Sequence, residues 1–324
     1  LGSSLSLSHN LDPLWTRGNQ IISARTGRRI VLRGVNRSGL EYSEPGTAGF
    51  LASAGISRAE IQEIASWGCS IVRLPFNQDW ALHGRGAFSA ESYLQALDTT
   101  ILWASEFEMY TLLDLQWLSA DIEWGCLKDG SVNRVAPLPD RGSLLLWRIL
   151  AERYREEPAV LYDLFNEPHD PLLDDPHPVL DLSGSEIPGR RVSAEVWSEW
   201  ADTLIGTIRE AHPRALIFVS GTNWGYDLRG ITVNGEGVVL STHIYRGKQP
   251  SWERAFGTIA ASRPVFAAEW GGEDGDVAWG RNLAEYLRSI GIGWTAWSWR
   301  DWPYLLSKGR PTRFGELVKA ELAG

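Results

Sequence analysis

The feature that most limits what this chain folds into is a recurrence. A short apolar run of strand length is followed by an amphipathic stretch of helix length, and the pair repeats along the 324 residues until eight strands have been counted. The strands read as Arg29–Asn36, Ser70–Phe76, Tyr110–Gln116, Ala159–Phe165, Ala215–Ser220, Gly237–Ile244, Val265–Ala268 and Gly293–Trp297. Val160–Phe165 typifies them: branched and aromatic residues, broken only by Asp163, suit a strand buried on both faces. Between the strands, helical periodicity covers Ser57–Trp67, Ser89–Phe107, Arg141–Arg155, Ser193–Ala211, Ser251–Ala261 and Val277–Ile290, and Phe314–Leu322 closes the chain. Ser57 is placed as an N-cap, with Glu60 completing a capping box.

Such alternation builds parallel βα units, and eight strands are the count of a closed (β/α)8 TIM barrel rather than of an open doubly wound sheet. Leu14–Ile22 and Arg28–Val31, separated by Ala24-Arg25-Thr26-Gly27, read as an N-terminal hairpin plugging the barrel bottom. Extended loops follow strands three and four, Leu118–Asp140 and Pro171–Arg191, and should wall the cleft at the C-terminal mouth. No linker rich in Pro, Gly or Ser divides the chain, so residues 1–324 are expected to be one domain, with 1–13 a flexible tail.

Composition narrows the partners. A net charge of −9 argues against nucleic acid and anionic membranes. No apolar run reaches the ~18 residues of a membrane span. The opening LGSSLSLSHN reads as a processed end, which makes secretion the expected fate. Two cysteines, Cys69 and Cys126, exclude a disulfide framework and leave a single bridge or two thiols open. Tryptophan is over-used, at 17 residues: Trp117, Trp124, Trp224, Trp270, Trp297, Trp299 and Trp302 fall near strand ends, where flat rings suit sugars, while Trp67, Trp103, Trp147, Trp197 and Trp200 lie on helical patterns and read as core. Arginine dominates the cations, the lysines being Lys128, Lys248, Lys308 and Lys319.

In a barrel, residues at the C-terminal strand ends converge on one mouth. Here they are Asn36, Arg73, Gln116, Asn166, Glu167, Asn223, His243, Tyr245, Glu269 and Trp297. Glu167 and Glu269 end strands four and seven, across the barrel from each other. Taken alone, Asn166-Glu167-Pro168 is a solvated loop, His243 a core histidine and Arg73 a structural ion pair; their joint placement reverses those readings. Two facing carboxylates about 5 Å apart are what a retaining glycosidase needs, one as acid/base and one as nucleophile. Arg73 and Tyr245 are then donors aligning Glu269, Glu167 is the group that must keep a proton, helped by burial and by the charge of Glu269, and Asn166 reaches a sugar 2-hydroxyl. The acidic run holding Asp170, Asp174, Asp175, His177 and Asp181 lacks EF-hand spacing and reads as a solvated loop.

Seven motifs stand in order on these strands: LRGVN (32–36), VRLPF (72–76), LLDLQW (112–117), FNEPH (165–169), STHIY (241–245), AAEWGG (267–272) and GWTAWSW (293–299). In them the chain resembles cellulase-like members of glycoside hydrolase family 5, retaining (β/α)8 enzymes. The resemblance implies Glu167 as acid/base and Glu269 as nucleophile, supported by Arg73, Asn166, His243 and Tyr245. Substrate contacts are expected from Gln116, Trp117, Asn36, Asn223, Trp224 and Trp297, and from Trp299 as a weaker match than Trp297. One position departs: Gln116 stands where many members carry His, so binding specificity should change before mechanism does. The expected activity is an endo-β-1,4-glucanase on cellulose-like or mixed-linkage glucans. A β-mannanase, an exo-acting glycosidase, and a non-catalytic carbohydrate-binding barrel are the alternatives. A monomer acting on a polysaccharide or oligosaccharide is expected, with no metal and no cofactor.

Overall fold

The computed structural model describes residues 11–119, 135–171 and 178–324. Its centre is a closed barrel of eight parallel strands: β1 (Arg33–Asn36), β2 (Ile71–Asn77), β3 (Tyr110–Trp117), β4 (Val160–Asp163), β5 (Ile217–Ser220), β6 (Val238–Ile244), β7 (Val265–Trp270) and β8 (Gly293–Ala296). Each pairs with the next in sequence, and β8 returns to β1 through Trp294 opposite Arg33. Side chains alternate along each strand. Ile71, Leu112, Leu161, Phe218, Val239 and Phe266 fill the lower barrel, while Val72, Leu113, Tyr162, Ile217, Leu240 and Ala267 face the helical layer. Burial on both faces is why these segments read as continuous apolar runs.

Ser57 caps its helix as expected, and four further helices start the same way. Ser57, Ser89, Asp140, Ser193 and Thr312 each accept a first-turn backbone N–H, opening helices Arg58–Ser66, Ala90–Glu106, Arg141–Arg153, Ala194–Ala211 and Arg313–Leu322. At Ser57 only half of the expected capping box forms. The Glu60 carboxylate is drawn instead to the guanidiniums of Arg37 (2.7 Å) and Arg300 (2.5 Å), because opposite charges outcompete a neutral amide for it. Two short helices, Phe50–Ala54 and Gln78–His83, interrupt connections that carry too few turns to show periodicity.

The N-terminal hairpin is shorter than expected. Its arms are Leu14–Arg17 and Gln20–Ser23, and the chain reverses at Gly18-Asn19, with Gly18 at φ 60°. The Ala24–Gly27 segment is a second, separate turn, held by the Ser23 hydroxyl accepting the N–H groups of Arg25 and Thr26. The expected second arm is reduced to a single bridge, Arg29 opposite Ile22, closed by Ser23 N–H on the Arg28 carbonyl and Ile30 N–H on the Ile21 carbonyl. The hairpin still closes the barrel bottom, since Leu14 and Ile21 join the lower interior cluster.

Two glycines test this packing. A Cβ on Gly34 would stand 1.7 Å from the Ile71 carbonyl oxygen, at the β1–β2 seam. Gly206 sits on the exposed face of a long helix with nothing within 4 Å of such a Cβ. Gly34→Ala is expected to lower the unfolding free energy by about 3 kcal/mol or more, and Gly206→Ala to raise it by about 0.5–1 kcal/mol. Urea unfolding of both variants beside the parent checks the pair.

Candidate active site

Two irregularities in the strands aim the functional side chains inward. On β7, Ser241↔Phe266 is followed by His243↔Glu269, so β7 carries one residue more than β6 over that interval. Phe266 and Ala268 both line the interior, and strict alternation would therefore turn Glu269 outward. The bulge resets the parity and puts Glu269 on the same face as His243. Similarly, β3 carries an extra residue between Leu115 and Trp117, which leaves Gln116 in the bulge. Past β4, Leu164 and Phe165 both pack outward, freeing Asn166 and Glu167 for the mouth.

Below the mouth lies a layer of charge organised by Arg73, which is fully buried. Its Nε donates to Asp163 at 2.9 Å, and one terminal nitrogen donates to Asn36 (2.9 Å) and Glu269 (2.8 Å). The other donates to Asn166 at 2.9 Å and pairs with Asp114 at 3.0 Å. Burial alone would favour a neutral guanidine, but Asp114, Asp163 and Glu269 outweigh it and hold Arg73 charged. Desolvation pushes Asp114 well above the carboxylate range and Asp163 up to about 6. One positive charge is thus not asked to neutralise three full anions.

The two glutamates meet above this layer in different surroundings. Glu269 is 4% exposed and accepts hydrogen bonds from Arg73 and from the Tyr245 hydroxyl, at 2.7 Å. Burial, then the charges of Glu269 and Glu167, push the Tyr245 phenol far up, so it serves as a neutral donor. Glu167 keeps 17% of its side chain exposed and lies 2.8 Å from Nδ1 of His243. Burial pushes His243 down to about 3, so the imidazole is neutral. Glu167 itself is raised, chiefly by desolvation, against the opposing charges of Lys248, His169 and Arg73. The expected contribution of Glu269 to that rise is not among its main causes.

An oxygen of Glu167, an oxygen of Glu269 and a nitrogen of His243 lie within 4.8 Å of one another. Among the described residues this is the one such trio close enough to share a cation, but the guanidinium of Arg73 and the Tyr245 hydroxyl already occupy the oxygens of Glu269. The arrangement suits proton transfer and nucleophilic attack across a short gap.

Asn166, Glu167, His243, Tyr245, Glu269 and Arg73 come together as the sequence placed them. Asn36 is a correction: it is fully buried, with its oxygen on Arg73 and its nitrogen on the Ala268 carbonyl, because β1 ends one layer below the mouth. Trp299 and Trp270 are corrections too. Both are fully buried: Trp270 follows the inward-facing Glu269 on β7, takes the opposite face and lies edge-on to Trp294, and Trp299, its N–H on the Asn36 carbonyl, lies edge-on to Trp67. Trp297 is 8% exposed at the end of β8, its indole N–H on the Trp302 carbonyl, and Trp117 lies 5.8 Å from the Tyr42 ring. Gln116 is mostly buried, its side-chain oxygen unpartnered among the described residues. Asn223 is exposed and Trp224 half-buried, both in the left-handed conformation. Trp124, Cys126, Asp174, Asp175 and His177 lie outside the described residues; Cys69 is buried, with no disulfide partner among the described residues.

Sequence reading missed Asp114 as a partner of Arg73, and took Asp163 only as an interruption. It also missed Lys248, whose one signal was being a lysine in an arginine-rich chain, and His169, which stacks on Trp224 with ring centroids 3.6 Å apart.

A closed (β/α)8 barrel with two carboxylates a few ångström apart at its C-terminal mouth has the geometry that retaining glycoside hydrolases need. The profile of the cellulase family, glycosyl hydrolase family 5, matches residues 32–302, and the chain belongs to that family. An endoglucanase of Paenibacillus polymyxa is 22% identical over 87% of this chain and 78% of its own. Endoglucanase C of Evansella cellulosilytica is also 22% identical, over 87% of this chain but 35% of its own length. Among solved structures, a β-glucanase of Saccharophagus degradans in complex with cellotetraose shares the fold with a TM-score of 0.75 and 21% identity, over 99% of this chain and 95% of its own.

The charge layer makes a pH-dependent prediction. Replacing Arg73 by Met strands buried carboxylates, which costs about 3–5 kcal/mol near neutral pH. Asp163, already above its unfolded value, rises further without the guanidinium. Its folded form then binds more protons than the unfolded chain, so the variant's stability is greatest near pH 4 and falls as pH rises through 6 and beyond. Urea midpoints of variant and parent at acid and neutral pH are expected to diverge with rising pH.

Proposed function

We propose that the chain is a retaining endo-β-1,4-glucanase working by double displacement, with Glu269 as nucleophile and Glu167 as acid/base. The observation that carries this reading is the separation of the two carboxylates: oxygens within 4.8 Å suit direct attack, whereas inverting enzymes need about 6.5–9.5 Å for an intervening water. A Glu269 oxygen attacks the anomeric carbon as the glycosidic C–O bond breaks, and the leaving oxygen takes the proton from Glu167. Water then gives its proton to Glu167 and attacks the same carbon, releasing Glu269. Two environments separate the roles: Glu269 is aligned by Arg73 and Tyr245, and Glu167 is raised by burial toward the protonated form.

A β-glucan substrate is supported by the endoglucanase relatives and by the cellotetraose complex of the S. degradans enzyme. At the mouth, Trp297, Trp224, Trp117 and Gln116 are the side chains we assign to sugar binding, with Asn166 on the 2-hydroxyl and Asn223 at the rim. Among the described residues no helix is long and apolar enough to cross a membrane. A polymeric substrate supports a site of action outside the cell, and we assign the described residues to one catalytic domain acting as a monomer.

Glu269→Ala is expected to lose hydrolysis by about 10⁴-fold or more while keeping its fold. Azide should restore turnover of an activated aryl β-glucoside with an α-glycosyl azide product, because azide enters from the side the carboxylate vacated. A β-azide from this variant would transfer the nucleophile role elsewhere. For Glu167→Ala, an aryl glycoside with a good leaving group should lose far less rate than carboxymethylcellulose, since it needs no protonation. Faster hydrolysis of mannan than of glucan by the parent would overturn the substrate assignment.

A further inference from the structure

Three loops meet behind Glu167, and one side chain joins them. The turn after β4 continues Glu167 into Pro168 and His169, and the His169 Nδ1 lies 2.6 Å from the Glu167 carbonyl. The turn after β5 brings Trp224, held left-handed at φ 58°, with its N–H on the Pro168 carbonyl at 3.1 Å and its ring stacked on His169, 11° from parallel. From the loop after β6, Lys248 extends inward and donates to the Trp224 carbonyl at 2.5 Å. Its ammonium lies 5.7 Å and 5.8 Å from the ring centroids of Tyr245 and Tyr226. Trp224 is thus gripped by its amide, its ring and its carbonyl, and the turn bearing Glu167 is locked against it.

We propose that Lys248 is a positioning residue for the proton-transfer steps: its ammonium braces the Trp224–His169 stack behind Glu167 and presents a positive charge to that carboxyl group. The proposal rests on Glu167 being the acid/base. A non-glycine residue in the left-handed region costs free energy, and so does a half-buried ammonium; both persist here because each holds the other. Lysine suits the place, being a compact point charge on a thin stem between two rings.

The groups facing Glu167 have distinct consequences. His243 and Tyr245 on β6 are neutral, Glu269 on β7 is paired with Arg73 from β2, and burial keeps His169 on its own turn below its usual range. Lys248 is therefore the cation whose removal most changes the field at Glu167, and it heads the charges that oppose the effect of burial there. Too basic an acid holds its proton against a departing sugar oxygen, and Lys248 keeps Glu167 from going that far.

The test compares Lys248→Met and Lys248→Gln with Lys248→Arg in the intact chain. Profiles of kcat/KM against pH are taken on a cello-oligosaccharide and on a dinitrophenyl β-cellobioside, with thermal unfolding as the check that each variant folds. Glycosylation needs protonated Glu167, and loss of a neighbouring positive charge raises its pKa. The alkaline limb is expected to move up by about half a pH unit or more in whichever neutral variant folds. The oligosaccharide should lose about fivefold or more in kcat/KM, while the dinitrophenyl substrate loses less than about twofold. Lys248→Arg should keep the parental limb. An unmoved limb, equal losses on both substrates, or an arginine variant shifted like the neutral ones would overturn the proposal. A parent enzyme that hydrolysed neither substrate would instead defeat the activity assigned above.

Discussion

Everything at the mouth of this barrel stands on Arg73. A guanidinium with no exposure makes five contacts, to Asn36, Asp114, Asp163, Asn166 and Glu269, from four strands and the turn after β4. Such a group survives in a barrel interior only when its donors are met and its charge is shared. Its planar fork fixes where its partners must sit, which a flexible ammonium would not do. Two of those partners, Asn166 and Glu269, rise from this layer into the site. Their alignment is thus set from beneath.

The two glutamates show how environment divides one chemistry into two. Glu269 faces a permanent cation and a phenol that stays protonated. Glu167 faces a neutral imidazole, with burial pushing it toward the protonated form and more distant cations holding that rise in check. In the roles we propose, the carboxylate held by donors attacks and the carboxyl group raised by burial gives up its proton. Gln116, on the strand beside Glu167, offers an acceptor that is unpartnered among the described residues.

Much of this was legible in the chain because its signals are local. Eight strands were readable from branched apolar runs, and Ser57, Ser89 and Ser193 marked helix starts because a cap is decided by the next three residues. What local reading got wrong was decided by contacts distant in sequence. Glu60 abandoned its capping role for Arg37 and Arg300, and Asn36 turned out to serve Arg73 rather than a sugar. Trp299 went into the core beside Trp67. The hairpin's turn moved to Gly18-Asn19 because a two-residue turn there pairs Arg17 with Gln20, an arrangement that composition alone did not distinguish from the later turn at Ala24–Gly27.

The sequence by itself determined the barrel and picked out the two carboxylates at its strand ends, since continuous apolar runs and the places where they stop are properties of short segments. Tertiary structure alone decided which way those carboxylates face and what each experiences. A single extra residue in β7 turns Glu269 inward, and a bulge has no sequence signature apart from the register of the strand beside it. Lys248 behind Glu167 and the Asp114–Asp163 layer under Arg73 were equally silent, because a field at a carboxylate depends on distances in space, and the chain records only distances along itself.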